Sequence, residues 1–220
     1  MNSGNVPTMA LAIADEHAIF LDCVADRYFA LSGRENDALL RLLAGTGISP
    51  AERQALTALT GVEASAEYFQ SLLATRVTSA PLRGPCVEKS CGRATCLSAI
   101  RHLFVAKTRL KLCGLHGSLE RLSRIPPWPT SDQAPEAAQK TDHIIGAHDW
   151  MSRHFTANDA CLLRSLALAY HLRSSGCAAQ LVIAVKSDPF AAHCWVQSDD
   201  QLLNEDLDAV ASFEPILVVQ

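Results

Sequence analysis

Charge is sparse along this chain and nearly balanced. Only 19% of the 220 residues are charged, and 19 Lys and Arg face 23 Asp and Glu for a formal net charge of −4. No basic field therefore points to nucleic acid or to a membrane surface. No window approaches the roughly 18 uncharged apolar residues that a membrane-spanning helix needs. The opening residues, MNSGNVPTMALAIADEH, lack the basic start and long apolar run of a secretory signal. A phosphate-cradling G-x-x-x-x-G-K-[ST] is also missing, so no nucleotide site is expected. These absences imply a cytoplasmic protein with no membrane partner, and nothing in the residues calls for a cofactor.

What is present suits a packed fold. Hydrophobic residues make up 49% of the chain, and 220 residues suffice for one large domain or two small ones. The eight cysteines are an even number, yet without a sign of export they read as reduced thiols. Cys23 and Cys177 sit in apolar surroundings and are expected in the core.

From Met9 to Leu31, two β-rich runs (about Met9–Ala14 and Ala18–Cys23) flank the polar Asp15-Glu16-His17, and a third covers Arg27–Leu31. Their short separations favour an antiparallel meander. Three helical patterns follow: Glu35–Leu43, Pro50–Thr60 after Ser49 with Glu52 at the capping-box position, and Ser65–Thr75. Three strands and three short helices make a winged-helix-like unit of residues 1–80. Its basic residues do not cluster on one recognition helix, which speaks against nucleic-acid binding. Thr78–Pro85 is rich in proline and reads as the domain boundary.

The remainder, 81–220, opens with a helical segment over 94–122. Its Leu97, Ile100, Leu103 or Phe104, and Leu110 are expected inward, with Arg101, Lys107, Arg109 and Lys111 outward. Cys86, Cys91 and Cys96 recur every five residues near His102 and His116. Structural zinc sites use tighter cysteine pairs, so no metal is expected. The segment 123–142 carries four prolines and reads as a linker or surface loop. A helix over Asp142–Thr156 follows.

Asn158 or Asp159 can cap a helix over Leu162–Arg173, which places Cys161 in its first turn. There the positive end of the helix dipole favours the thiolate, and free N–H groups can hold an oxyanion. After Gly176, Ala179–Val185 is a buried-strand run and Ala191–Gln197 the next strand. On the latter, His193 and Trp195 share a face and Cys194 points away, so Cys194 is not the nucleophile. A short strand, Gln201–Leu203, ends in Asn204-Glu205-Asp206, placed to supply an acid for the imidazole. Cysteine, histidine and acid in this order follow triad logic.

Two stretches resemble known families. FLDCVADRYFAL with its Leu-rich helix resembles the PqqD-like peptide-recognition element of ribosomal peptide natural-product pathways. That resemblance implies a leader peptide added as a strand beside Arg27, Tyr28, Phe29 and Leu31, with Tyr68 and Leu72 on the opposing helix. CLLRSLAL, LVIAVKSDPFAAHCWV and LLNED resemble the transglutaminase-like cysteine protease of lasso peptide maturation, often fused behind such an element. The whole chain is then α+β, a PqqD-like domain followed by a papain/transglutaminase-like protease domain. The resemblance implies Cys161 as nucleophile and His193 as base. It also implies a leader peptide as substrate and an ATP-dependent, asparagine-synthetase-like cyclase as partner. The family reads Asn-Asp where this chain has Asn204-Glu205, so a gapless match puts Glu205 at the acid position and a one-residue adjustment puts Asp206 there. The expected function is removal of the leader from a precursor peptide. A non-catalytic peptide-binding chaperone and a transglutaminase-like acyltransferase are the alternatives.

Overall fold

A computed structural model describes residues 6–73, 92–125, 134–155 and 160–220. Strands β1 (Met9–Ala14), β2 (His17–Asp22) and β3 (Arg27–Ala30) form an antiparallel meander in the order β1-β2-β3. Asp15 and Glu16 make the first turn, with φ of 46° and 65°. Positive φ at both central residues is the mark of a type I′ two-residue hairpin turn. Buried Asn36 holds this turn from the next helix: its amide donates to the Glu16 carbonyl (2.8 Å) and accepts from the Ala18 N–H (2.8 Å).

Helices α1 (Gly33–Leu43), α2 (Pro50–Thr60) and α3 (Ala66–Leu72) follow. The capping box expected at Ser49 and Glu52 is present, and Gly61 ends α2 in the left-handed conformation at φ 71°. The helices cover one face of the meander. Leu11, Ala18, Phe20, Leu39, Leu56 and Phe69 form this core.

The other face of the meander is buried as well. Strand alternation turns Ala10, Ala12, Ala14, Ile19 and Leu21 away from the helices and into a second core, built mainly by the C-terminal half. In that half, α4 (Arg93–Ser123), α5 (Ala134–Phe155) and α6 (Cys161–Ser174) lead to strands β4 (Gln180–Lys186), β5 (Ala191–Ser198), β6 (Gln201–Leu202) and β7 (Glu214–Val219), with the short α7 (Leu207–Val210) before β7. The strands form an antiparallel sheet in the order β6-β5-β4-β7. Leu181, Ile183, Val185, Cys194 and Val196 point to α6 and the shared core, while Val182, Ala184 and Trp195 pack on the opposite face with Leu202 and Val210.

Several expectations need correction. The loop expected over 123–142 is helical from Ala134 onward, with 126–133 outside the described residues. A proline in a first turn is tolerated, and the Ala-Ala-Gln-Lys that follows is strongly helix-forming. The helical segment of the middle is not continuous, because Gly114 (φ 66°, ψ −171°) breaks it into two. Its inward face also differs: Leu97 and Phe104 are 68% and 64% exposed, whereas Ala99 and Ala106 are fully buried. Small side chains let α4 lie close against its neighbours, and the larger ones are displaced outward. Strand β7 carries no expectation from the sequence, since its run is short and lacks clean alternation.

One buried cation ties the C-terminal half together. Arg173, 3% exposed, donates to the carbonyls of Ala179 (2.8 Å), Leu122 (3.0 Å) and Val219 (2.6 Å). It thereby joins α6 to the start of β4, the end of α4 and the end of β7. Burial lowers its pKa to about 10, so the group stays charged at neutral pH.

Candidate active site

Cys161 is the first residue of α6, preceded by Ala160 without a side-chain cap. Asn158 and Asp159, expected as caps, lie outside the described residues. The first N–H groups of a helix have no carbonyl one turn back, so the backbone itself is the donor at this end. The backbone amides of Leu162 and Cys194 are near enough to the Cys161 thiol to favour its thiolate.

His193 arrives on β5, paired with Ala184 of β4. The helix and this strand are fixed to one another by a polar brace that the sequence reading missed. The Ser165 hydroxyl donates to the Cys194 carbonyl (2.8 Å) and accepts from the Asn204 amide (2.9 Å). The Asn204 side-chain oxygen in turn accepts from the Val196 N–H (2.7 Å). Asn204 therefore joins the α6 turn below the thiol to the strand that carries the imidazole. Its position directly before the acid in LLNED was the available signal, but nothing in the text pairs it with Ser165.

The acid next to the imidazole is Glu205. Its Oε1 lies 3.6 Å from His193 Nε2, and the two side chains are about one-fifth exposed. That distance is longer than a hydrogen bond, so the carboxylate acts through charge. Nε2 has no hydrogen-bond partner among the described residues. With Nε2 turned to Glu205, Nδ1 is the nitrogen left for the thiol. Asp206 takes the exposed cap position of α7 and is not brought to the site. The Phe213 ring lies 5.3 Å from the imidazole and the Trp195 ring 6.2 Å, so aromatic surface lines its flank.

The electrostatics favour a thiolate–imidazolium pair. The hydrogen bond with His193 lowers the Cys161 pKa; burial opposes this, and the His193 charge and the two amides add to it. Reciprocally, the Cys161 contact and then Glu205 raise the His193 pKa to about 9 against the cost of burial. Cys194 shows the contrast, since burial pushes its thiol well up. Cys23 is likewise buried and pushed up to about 12. Thus one thiol among these three is activated.

A family model described as the transglutaminase-like superfamily matches residues 100–218. This is more than half of the chain, and it spans Cys161, His193 and Glu205. The chain belongs to the transglutaminase-like superfamily. Members of that superfamily are typically cysteine peptidases or transferases. No curated protein and no solved structure matches the chain. The whole stretch from β1 through α3 lies outside the transglutaminase-like match.

The residues expected to bind peptide divide between the two faces of the meander. Phe29 stacks on Phe20 with centroids 5.0 Å apart, and Tyr68 and Leu72 border the same helix-side core. Leu31, 4% exposed, is inside that core. Tyr28 turns the other way and packs against the shared core, at whose margin Cys161 also lies. Arg27 is exposed, 3.9 Å from Asp22. The described residues include no group of three or more His, Cys, Asp or Glu suited to a metal ion, and Cys86 and Cys91 lie outside them. No described helix is long and apolar enough to cross a membrane.

Proposed function

We propose that this protein is a cysteine peptidase that removes the leader from a ribosomally made lasso precursor peptide. The activated Cys161–His193 pair at a helix start, in a transglutaminase-like chain, is the observation that carries the reading. The Cys161 thiolate attacks the scissile carbonyl. Free backbone N–H groups at the start of α6, that of Cys161 among them, would stabilise the tetrahedral oxygen. The His193 imidazolium gives its proton to the leaving amine, forming the acyl-enzyme, and then takes a proton from the water that hydrolyses it. Glu205 holds the imidazolium. The meander and its helices form a PqqD-like element that binds the leader along β3, raising the concentration of the scissile bond at the thiol. The freed core peptide passes to an ATP-dependent, asparagine-synthetase-like cyclase acting in the cytoplasm.

The test is mass spectrometry of the full chain mixed with a leader-bearing lasso precursor peptide. Released leader is expected from the wild type, and Cys161→Ala should lower the rate by at least about a thousandfold while leader affinity holds. Cleavage that persists in Cys161→Ala would overturn the mechanism. A covalent adduct to an added amine, with no free leader, would assign acyl transfer instead.

A further inference from the structure

β3 is an edge. It pairs with β2 on one side and with no strand on the other among the described residues. The opposite edge of the meander, at β1, is partly met by Leu73, which bridges Leu11. A peptide laid along β3 would point alternate side chains to opposite faces. One set turns to the helix side, where Phe29, Tyr68 and Leu72 border the core. The other set turns to the catalytic half.

On that second side there is a cavity of about 240 Å³, lined by His17, Ile19, Tyr28, Ala30, Ser187 and Phe190, with Phe29 at its margin. The turn between β4 and β5 closes it. The Tyr28 and Phe190 rings meet with centroids 5.7 Å apart, and the Ser187 hydroxyl donates to Asp15 Oδ2 at 2.6 Å. Tyr28, which lines the cavity, packs on the shared core at whose margin Cys161 also lies. Burial chiefly raises the pKa of its phenol, and the nearby thiols of Cys194 and Cys161 add to the effect.

Size and chemistry identify the occupant. The cavity is smaller than the roughly 300–1,000 Å³ of sites that hold whole small molecules. It suits one side chain. Two of its polar groups are already engaged: Ser187 with Asp15, and His17 Nδ1 with the Asp15 carbonyl at 2.8 Å. Beside the Tyr28 hydroxyl and His17 Nε2, most of the lining is the apolar surface of Ile19, Tyr28, Ala30 and Phe190.

We propose that this cavity is a specificity subsite that takes one bulky apolar side chain of an extended peptide lying on β3, close to the bond presented to Cys161. It deepens the peptidase reading and rests on it for the identity of the substrate as a peptide. The meander then does more than tether a leader, because its catalytic-side face forms one wall of the cleft.

The experiment measures alkylation of Cys161 in the full chain, followed by intact mass. The probes are acetylated dipeptidyl and tripeptidyl chloromethyl ketones carrying Leu, Phe, Gly or Asp at each position. The thiolate displaces chloride, so labelling needs no amide hydrolysis. Iodoacetamide, which has no side chain for the cavity, gives the reference rate within each protein. At one position the wild type should prefer Leu or Phe over Gly or Asp by about tenfold or more. Ala30→Phe fills the cavity and Phe190→Ala opens it, and both positions are exposed. Each substitution should remove most of that preference relative to iodoacetamide, and Ala30→Phe should favour Gly. No preference in the wild type, or one that both variants retain, overturns the subsite. Hydrolysis of the matching peptide amides is read in parallel. Selective labelling without hydrolysis would leave the subsite standing and sink the peptidase reading, and hydrolysis without selectivity would do the reverse.

Discussion

Cys161 and His193 each hold the other in its charged form, and this fixes how activity must respond to pH. The reactive species is the thiolate beside the imidazolium. It is lost on the acid side as the thiol protonates, below the ordinary thiol range because that pKa is lowered. It is lost on the alkaline side as His193 gives up its proton, at about 9. The kcat/KM profile of the free enzyme should therefore be bell-shaped with an alkaline limb near pH 9. Glu205 stabilises the imidazolium through charge, so Glu205→Gln should bring that limb down by about one unit. Asp206→Asn should leave it in place, since Asp206 lies at the exposed start of α7. An unmoved limb in Glu205→Gln would remove Glu205 from the site. These three positions were legible because their chemistry is written in residue type and chain order. The brace of Ser165 and Asn204 was not, because a serine and an asparagine 39 residues apart carry no mark of pairing.

Helices α4, α5 and α6 meet at a group of three histidines that nothing in their spacing along the chain connects. His102 stacks on His171 with centroids 4.3 Å apart, and His148 Nε2 lies 3.1 Å from His171 Nδ1. Ser98 completes the cluster, its hydroxyl 3.0 Å from His171 Nε2. Burial, then the neighbouring imidazoles, lowers His148 to about 3 and His171 to about 4, and burial also lowers His102. Above a pH of about 6.5 these histidines are neutral folded or unfolded, and the cluster has its full stability. As pH falls below that value, the unfolded chain takes up protons that the folded chain refuses. Each histidine then removes up to about 1.4 kcal/mol per pH unit. His193 does not oppose this slope, since with its raised pKa it is protonated in both states there. Urea unfolding between about pH 6.5 and 5 should show stability falling with acidity, and His148→Leu should flatten the fall by one histidine. An equal slope in that variant would sink the account. The strands and capped helices were readable from alternation and cap residues. The inward face of α4 was not, because buried alanines give weaker periodicity than the exposed leucine and phenylalanine beside them.

At the scale of the whole molecule, the meander is a layer between two cores. Its helix-side face closes a core of its own, but its other face is completed by α4, α6 and the C-terminal sheet. The backbone adds ties: the His116 N–H donates to the Cys23 carbonyl (3.1 Å), and the His116 ring reaches the Val6 carbonyl (3.1 Å). Two independent domains divided at Thr78–Pro85, as the sequence suggests, would unfold in two steps. A shared core predicts one. Leu21, fully buried on the catalytic side of β2, tests the difference. Leu21→Ala should cost about 2–5 kcal/mol, and hydrogen exchange followed by mass spectrometry should locate the loss. If the core is shared, amide protection in β5 and α6 falls together with that in β1 and β2. If the halves are independent, protection falls in the meander alone and the catalytic strands keep theirs. The same substitution would also loosen the wall on which Tyr28 stands, since Tyr28 pairs with Leu21 across the sheet. Alkylation of Cys161 should then become less selective among peptide probes even where the thiolate itself still reacts. A chain whose catalytic strands and probe selectivity were both untouched by Leu21→Ala would be two domains in contact, with no shared core between them.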